Sequence, residues 1–127
     1  MDDLSQQEFQ NHIGGEWVPC ASGATAPNLN PADTTDVVGR FPLSDATDGA
    51  RAVAAAQAAF AAWRDTPISK RAAILFRAAQ YLEDHADSVA RELTREEGKG
   101  LALARDEVLR SAQTIRFYAC LLYTSDA

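Results

Sequence analysis

From Ser44 onward, apolar residues recur with a helical period, and the breaks in that pattern divide the stretch into four predicted helices. In the first, from about Asp45 to Arg64, Val53, Ala56, Phe60 and Trp63 fall three or four residues apart and so share one face. Ser44 and Asp45 suit its N-cap, Thr47 and Asp48 keep the opening turn polar and partly negative, and Pro67 closes it. Ser69 is the expected cap of a second helix whose stripe is Ala72, Leu75, Phe76, Ala79 and Leu82. A third, from about Ala86 to Glu97, buries Val89 and Leu93 and ends at Gly98, a residue free to adopt positive φ. The fourth begins near Leu101 and turns Ala104, Val108, Ala112, Ile115 and Ala119 inward. Alanine on a packing face lets helices approach closely while keeping high helix propensity.

Upstream the pattern shortens to strand length. Gly14-Gly15 lies between His12-Ile13 and Glu16-Trp17-Val18, and a type I′ turn needs positive φ at both central positions, so a hairpin is predicted. Pro19 to Gly23 reads as a loop and Thr25 to Leu29 as a short strand. The turn-forming cluster Asn30-Pro31-Ala32-Asp33 follows, then a strand over Thr35–Phe41 ended by Pro42. Residues 1–10 lack a period and read as a flexible leader. The expected fold class is α/β: a small β-hairpin and strand unit followed by four α-helices.

Composition narrows the function. The 127 residues are one domain's worth of chain, and although 46% are hydrophobic, many are alanines that bury little area apiece. A net charge of −6 argues against nucleic acid, which needs a basic face. The opening Met1-Asp2-Asp3-Leu4 is acidic where a secretory signal would be basic. The Ala-rich run from Ala52 to Trp63 is too short to span a bilayer. No membrane association is expected, and the reading is a cytoplasmic, soluble protein.

Candidate chemistry is sparse. Cys20 and Cys120 lie at opposite ends of the chain with no Cys-x-x-Cys or Cys/His cluster, so they read as free thiols and zinc has no support. His12 and His85 are isolated and fit surface or capping roles. Glu96, Glu97 and Lys99 could form an acid–base cluster, but a helix end collects such residues, and Lys99 there favours the helix dipole. Neither Gly14-Gly15 nor Gly98-Lys99-Gly100 makes a phosphate loop, since neither matches Gly-x-Gly-x-x-Gly after a strand. Arg64, Lys70 and Arg71 read as a solvated basic face.

In order along the chain, Ile13-Gly14-Gly15-Glu16-Trp17, Asn30-Pro31-Ala32-Asp33, and Ala52-Val53-Ala54-Ala55-Ala56 with Phe60 and Trp63 resemble the start of an aldehyde dehydrogenase. Arg71, Ile74-Leu75, Ala78-Ala79 and Leu82-Glu83 fit the family's second long helix. Glu96-Glu97-Gly98-Lys99 is similar to its acidic helix end, and Ile115-Arg116-Phe117-Tyr118-Ala119 to its next landmark. The resemblance covers about Ile13 to Ala119, so residues 11–119 are expected to be the N-terminal part of the family's coenzyme-binding domain. Among subfamilies the chain is most similar to semialdehyde dehydrogenases of the 2-oxoglutarate semialdehyde type.

The resemblance implies a larger, homo-oligomeric parent enzyme that oxidises an aldehyde with NAD or NADP. A cysteine thiolate adds to the aldehyde, an Asn amide and a backbone N–H hold the oxyanion, and a Glu activates water. In the family those groups, and the strands that touch the cofactor, lie downstream of the region matched here. The contexts Val18-Pro19-Cys20-Ala21 and Ala119-Cys120-Leu121 do not resemble the family's nucleophile segment. The expectation is therefore no catalytic, cofactor-binding or metal-binding residue in this chain, and no cofactor bound by it. In some relatives an acidic residue matching Glu96 joins carbonyls matching those of Asn28 and Leu29 around sodium or potassium, but the remaining ligands come from later sequence, so no binding by this chain alone is expected. Residues 120–127, with Leu121, Leu122 and Tyr123 expected exposed, depart from the family pattern and read as an atypical, non-native tail after truncation or a frameshift. The alternative reading is an autonomous helical binding or scaffold module.

Overall fold

The computed structural model describes residues 8–124, with side chains through 122. Most of the expected leader and residues 125–127 of the expected tail lie outside the described residues, as does the side chain of Tyr123. The chain divides into two compact units, one up to Arg64 and one from Asp65. A single domain was the expectation from length. The division follows from the packing, because the first helix touches the first hairpin while the three later helices pack on one another.

In the first unit, β1 (Asn11–Ile13) and β2 (Glu16–Val18) form an antiparallel hairpin in which Ile13 pairs with Glu16. Gly14 and Gly15 make its turn at φ 65° and 89°, the positive values the sequence demanded. A second antiparallel pair joins β3 (Thr25–Asn30) to β4 (Asp33–Pro42). Its turn is held by side chains: Asn30 Oδ1 accepts from the Ala32 N–H at 2.9 Å, and Asp33 Oδ1 accepts from the Thr35 N–H at 3.1 Å. The register shifts around Leu29, where Asn28 pairs with Gly39 but Leu29 pairs with Val37, leaving Val38 as a bulge. Upstream, the Phe9 N–H donates to the Arg40 carbonyl at 2.8 Å, and the Phe9 ring stacks on Phe41 with centroids 4.5 Å apart.

The helix α1 (Ala46–Arg64) completes this unit. Asp45 and Asp48 cap it reciprocally: Asp45 Oδ1 accepts from the Thr47 and Asp48 N–H groups, and Asp48 Oδ2 accepts from the Asp45 N–H. This is a capping box with Asp in place of Glu at the third helical position. The expected apolar stripe exists as a pattern but is uncovered, with Val53 59%, Phe60 61% and Trp63 44% exposed. An apolar face of this size binds hydrophobic-surface dyes and promotes association. Dye fluorescence and concentration-dependent light scattering are therefore expected from the purified chain, both reduced by Phe60→Lys with Trp63→Lys. A sharp unfolding transition of a dye-silent monomer would overturn this expectation.

The second unit is three helices: α2 (Ile68–Asp84), α3 (Ala86–Glu97) and α4 (Leu101–Thr124). Ser69 does not cap α2, contrary to expectation. The cap is Pro67, whose carbonyl accepts from the Lys70 and Arg71 N–H groups at 2.9 and 3.1 Å, so helical geometry is already established before Ser69. Both α2 and α3 pack on α4 through alanines: Ala72, Ala79, Ala90, Ala104, Ala112 and Ala119 are fully buried. The centre of the α3–α4 contact is Ala86, Ala90, Ala104 and Val108, with Leu82, Val89, Leu93 and Leu109 packed around it. The α4 stripe is thus as expected, whereas on α3 the small Ala86 and Ala90 are the inner residues and Val89 and Leu93 flank them. Gly98 ends α3 in the left-handed region at φ 74°, its N–H donating to the Thr94 carbonyl at 2.8 Å. Past Cys120, α4 continues unbroken to Thr124, with Leu121 exposed and Leu122 half-buried rather than exposed.

Candidate functional site

The chemistry-bearing residues divide between the two units. In the first, the loop after β2 turns Cys20 inward until it is 3% exposed. Its thiol donates to the Ala24 carbonyl at 3.1 Å, and its sulfur also contacts Ser22 Oγ at 3.4 Å. The next residue ties this loop to the helix, since the Ala21 N–H donates to both Asp48 oxygens at 2.9 and 3.1 Å. Asp48 is itself 3% exposed and lies 3.5 Å from the Arg51 guanidinium. A buried thiol that donates to a backbone carbonyl fits a structural role.

A shallow cleft of about 240 Å³ opens between β1 (Asn11, His12, Ile13) and the start of α1 (Ser44, Asp48, Gly49, Ala52). Ligand sites usually run to ~300–1,000 Å³. His12 lies on β1 with its ring against Trp17, centroids 4.8 Å apart. Asn11 Nδ2 donates to Ser44 Oγ at 2.8 Å, fastening the hairpin to the start of α1.

In the second unit, His85 is the capping residue foreseen: it joins α2 to α3, its Nδ1 sits 2.8 Å from the Tyr81 carbonyl, and its ring stacks on Tyr81. Lys99 holds the α3–α4 connection, with Nζ 2.6 Å from Glu97 and 2.5 Å from Glu107. The sequence supplied Glu97 as a neighbour of Lys99. Glu107 was missed because it comes within reach only when α4 turns back from Gly100. Glu96 is exposed near the end of α3, while Asn28 and Leu29 belong to β3 of the other unit. Of the three basic residues, Arg64 ends α1 of the first unit, while in the second Lys70 is exposed on α2 and Arg71 is half-buried, its Nε without a hydrogen-bond partner among the described residues.

The best-formed ion pair joins α2 to α4. Arg116 donates from Nε and Nη2 to the two carboxylate oxygens of Glu83 at 3.0 and 2.6 Å, and Nη2 also donates to Gln80 Oε1 at 2.9 Å. The hydrogen bonds from Arg116 hold the Glu83 carboxyl below its ordinary value of 4.5. A depressed folded value means that the pair's contribution is present above pH 4.5 and is lost as pH falls through the lowered value. The stability gap between wild type and Glu83→Gln should accordingly exist at neutral pH and close in strong acid, as read from thermal melts across a pH series. A gap constant over that range would show that ionisation of Glu83 does not contribute to the pair's stabilisation. Hydrogen bonds to Glu107 and Glu97 raise Lys99 above 10.5, so its contribution is present below that pH and disappears only as pH rises beyond it.

Cys120 is exposed on α4, and both cysteines are free thiols. Among the described residues no His, Cys, Asp and Glu side chains group as a metal site, and no helix is long and apolar enough to cross a membrane. What the geometry supplies is helix caps, a loop anchor and interhelical ion pairs.

The comparisons with known proteins agree with one another. The aldehyde dehydrogenase family model matches residues 17–126. A malonate-semialdehyde dehydrogenase of Bacillus pumilus (strain SAFR-032) is 41% identical over 119 residues, which are 94% of this chain and 24% of that protein. Among solved structures, a succinate-semialdehyde dehydrogenase from Burkholderia pseudomallei superposes with TM-score 0.85 at 40% identity, covering 94% of this chain and 24% of that one. An NAD-dependent aldehyde dehydrogenase from Sinorhizobium meliloti gives TM-score 0.84 at 31% identity, with 90% and 23% covered. The chain spans about a quarter of the length of the relatives it matches, and within that span sequence and fold agree. The chain belongs to the aldehyde dehydrogenase family.

Proposed function

We propose that this chain is the N-terminal part of an NAD(P)-dependent aldehyde dehydrogenase that oxidises a short carboxylated semialdehyde to the diacid, and that the reacting groups lie outside it. The observation that carries this reading is the 41% identity to a malonate-semialdehyde dehydrogenase over 94% of the chain but only 24% of that protein. The relatives described above are named for malonate and succinate semialdehydes, so these are the substrates of choice, ahead of 2-oxoglutarate semialdehyde. The parent enzyme is proposed to be cytoplasmic and homo-oligomeric.

The residues present do not fit a dinucleotide. Such cofactors bind at the carboxyl ends of parallel strands, beside a glycine-rich turn that leads into a helix. The strands described here form two antiparallel pairs. The glycines with positive φ sit in a hairpin turn, a loop and a helix end. Turnover also requires a nucleophile, an oxyanion donor and a base brought together. The buried Cys20 and the exposed Cys120 have no such surroundings among the described residues, which supports placing the chemistry elsewhere. An autonomous scaffold module draws no support from the relatives.

Two measurements test the proposal. The chain alone, mixed with malonate or succinate semialdehyde and either NAD or NADP, should give no reduced-nicotinamide absorbance above blank and only dilution heat in calorimetry with the cofactors. A saturable activity abolished by Cys20→Ser or Cys120→Ser would overturn the assignment of the chemistry to other residues. A chimera in which this chain replaces the matching quarter of the malonate-semialdehyde enzyme should oxidise a semialdehyde. A folded chimera that binds cofactor but turns over no aldehyde would refute the family function.

A further inference from the structure

No further inference is drawn: the strongest candidate, the exposed apolar face of α1 around Val53, Phe60 and Trp63, is unpartnered, and nothing in the structure shows what covers it.

Discussion

Ala90→Leu is expected to destabilise the α2–α4 unit by about 1–3 kcal/mol, the usual cost of forcing extra methylenes into a packed contact. Ala90 is fully buried in the middle of α3, and the contact around it is built from Ala86, Ala104 and Val108. A leucine there would displace Val108 or lift α3 from α4, because alanine's lack of side-chain reach is what sets the helix separation. In a domain of 60–100 residues each kcal/mol moves the thermal midpoint by roughly 4–8 °C, so the change is readily seen by circular dichroism. Ala102→Leu is the control: Ala102 is exposed on α4, and substitutions at such sites usually stay within about ±0.5 kcal/mol. Equal midpoints for the two variants would mean that the alanine contact does not limit the packing of these helices.

The second large effect is expected at Asp48. Its carboxylate accepts from the Ala21 N–H with both oxygens and from the Asp45 N–H at 3.2 Å, while being almost wholly buried. Asp48→Ala removes these acceptors from the part-buried Ala21 and Asp45 N–H groups, and losing such a hydrogen bond costs about 0.5–1.5 kcal/mol. Loss of half the capping box adds to that, since removing a helix cap typically costs ~1 kcal/mol. Asp48→Asn keeps one acceptor oxygen and should lose less. Urea unfolding monitored at the first unit, with exchange of the Ala21 amide, distinguishes the outcomes. Exchange should quicken in Asp48→Ala as the loop carrying Cys20 comes free. An unchanged midpoint with unchanged Ala21 protection would show that the loop is held by something else.

The three helices of the second unit were legible because their signals are local. Gly98 and the period of Ala104, Val108, Ala112 and Ala119 are properties of adjacent residues, and the helices formed where those signals placed them. Gly14-Gly15 fixed its hairpin for the same reason. The burial of Asp48 was not legible: an acidic residue in a helix's first turn is an ordinary N-terminal signal, and only the return of the loop at Ala21 gives the carboxylate its buried role. Likewise Val89 and Leu93 looked like the core of α3 because they are its larger apolar residues, yet close helix approach selects the small Ala86 and Ala90 for the centre.

By itself the sequence determined the order of elements, most of their boundaries, the tight turns, the α1 cap at Asp45 and the α3 stop at Gly98, and the membership of the family, since these rest on neighbouring residues and ordered motifs. Only the tertiary structure decided which apolar stripes are covered and which charges pair. The stripe of α1 has the same period as that of α4, but Trp63 and Phe60 are open while Ala112 and Ala119 are closed. Periodicity says which residues share a face, but burial also requires another surface at contact distance. For α4 that surface is α2 and α3, which the chain brings against it, and the Glu83–Arg116 pair forms across 33 positions of sequence because those helices lie together.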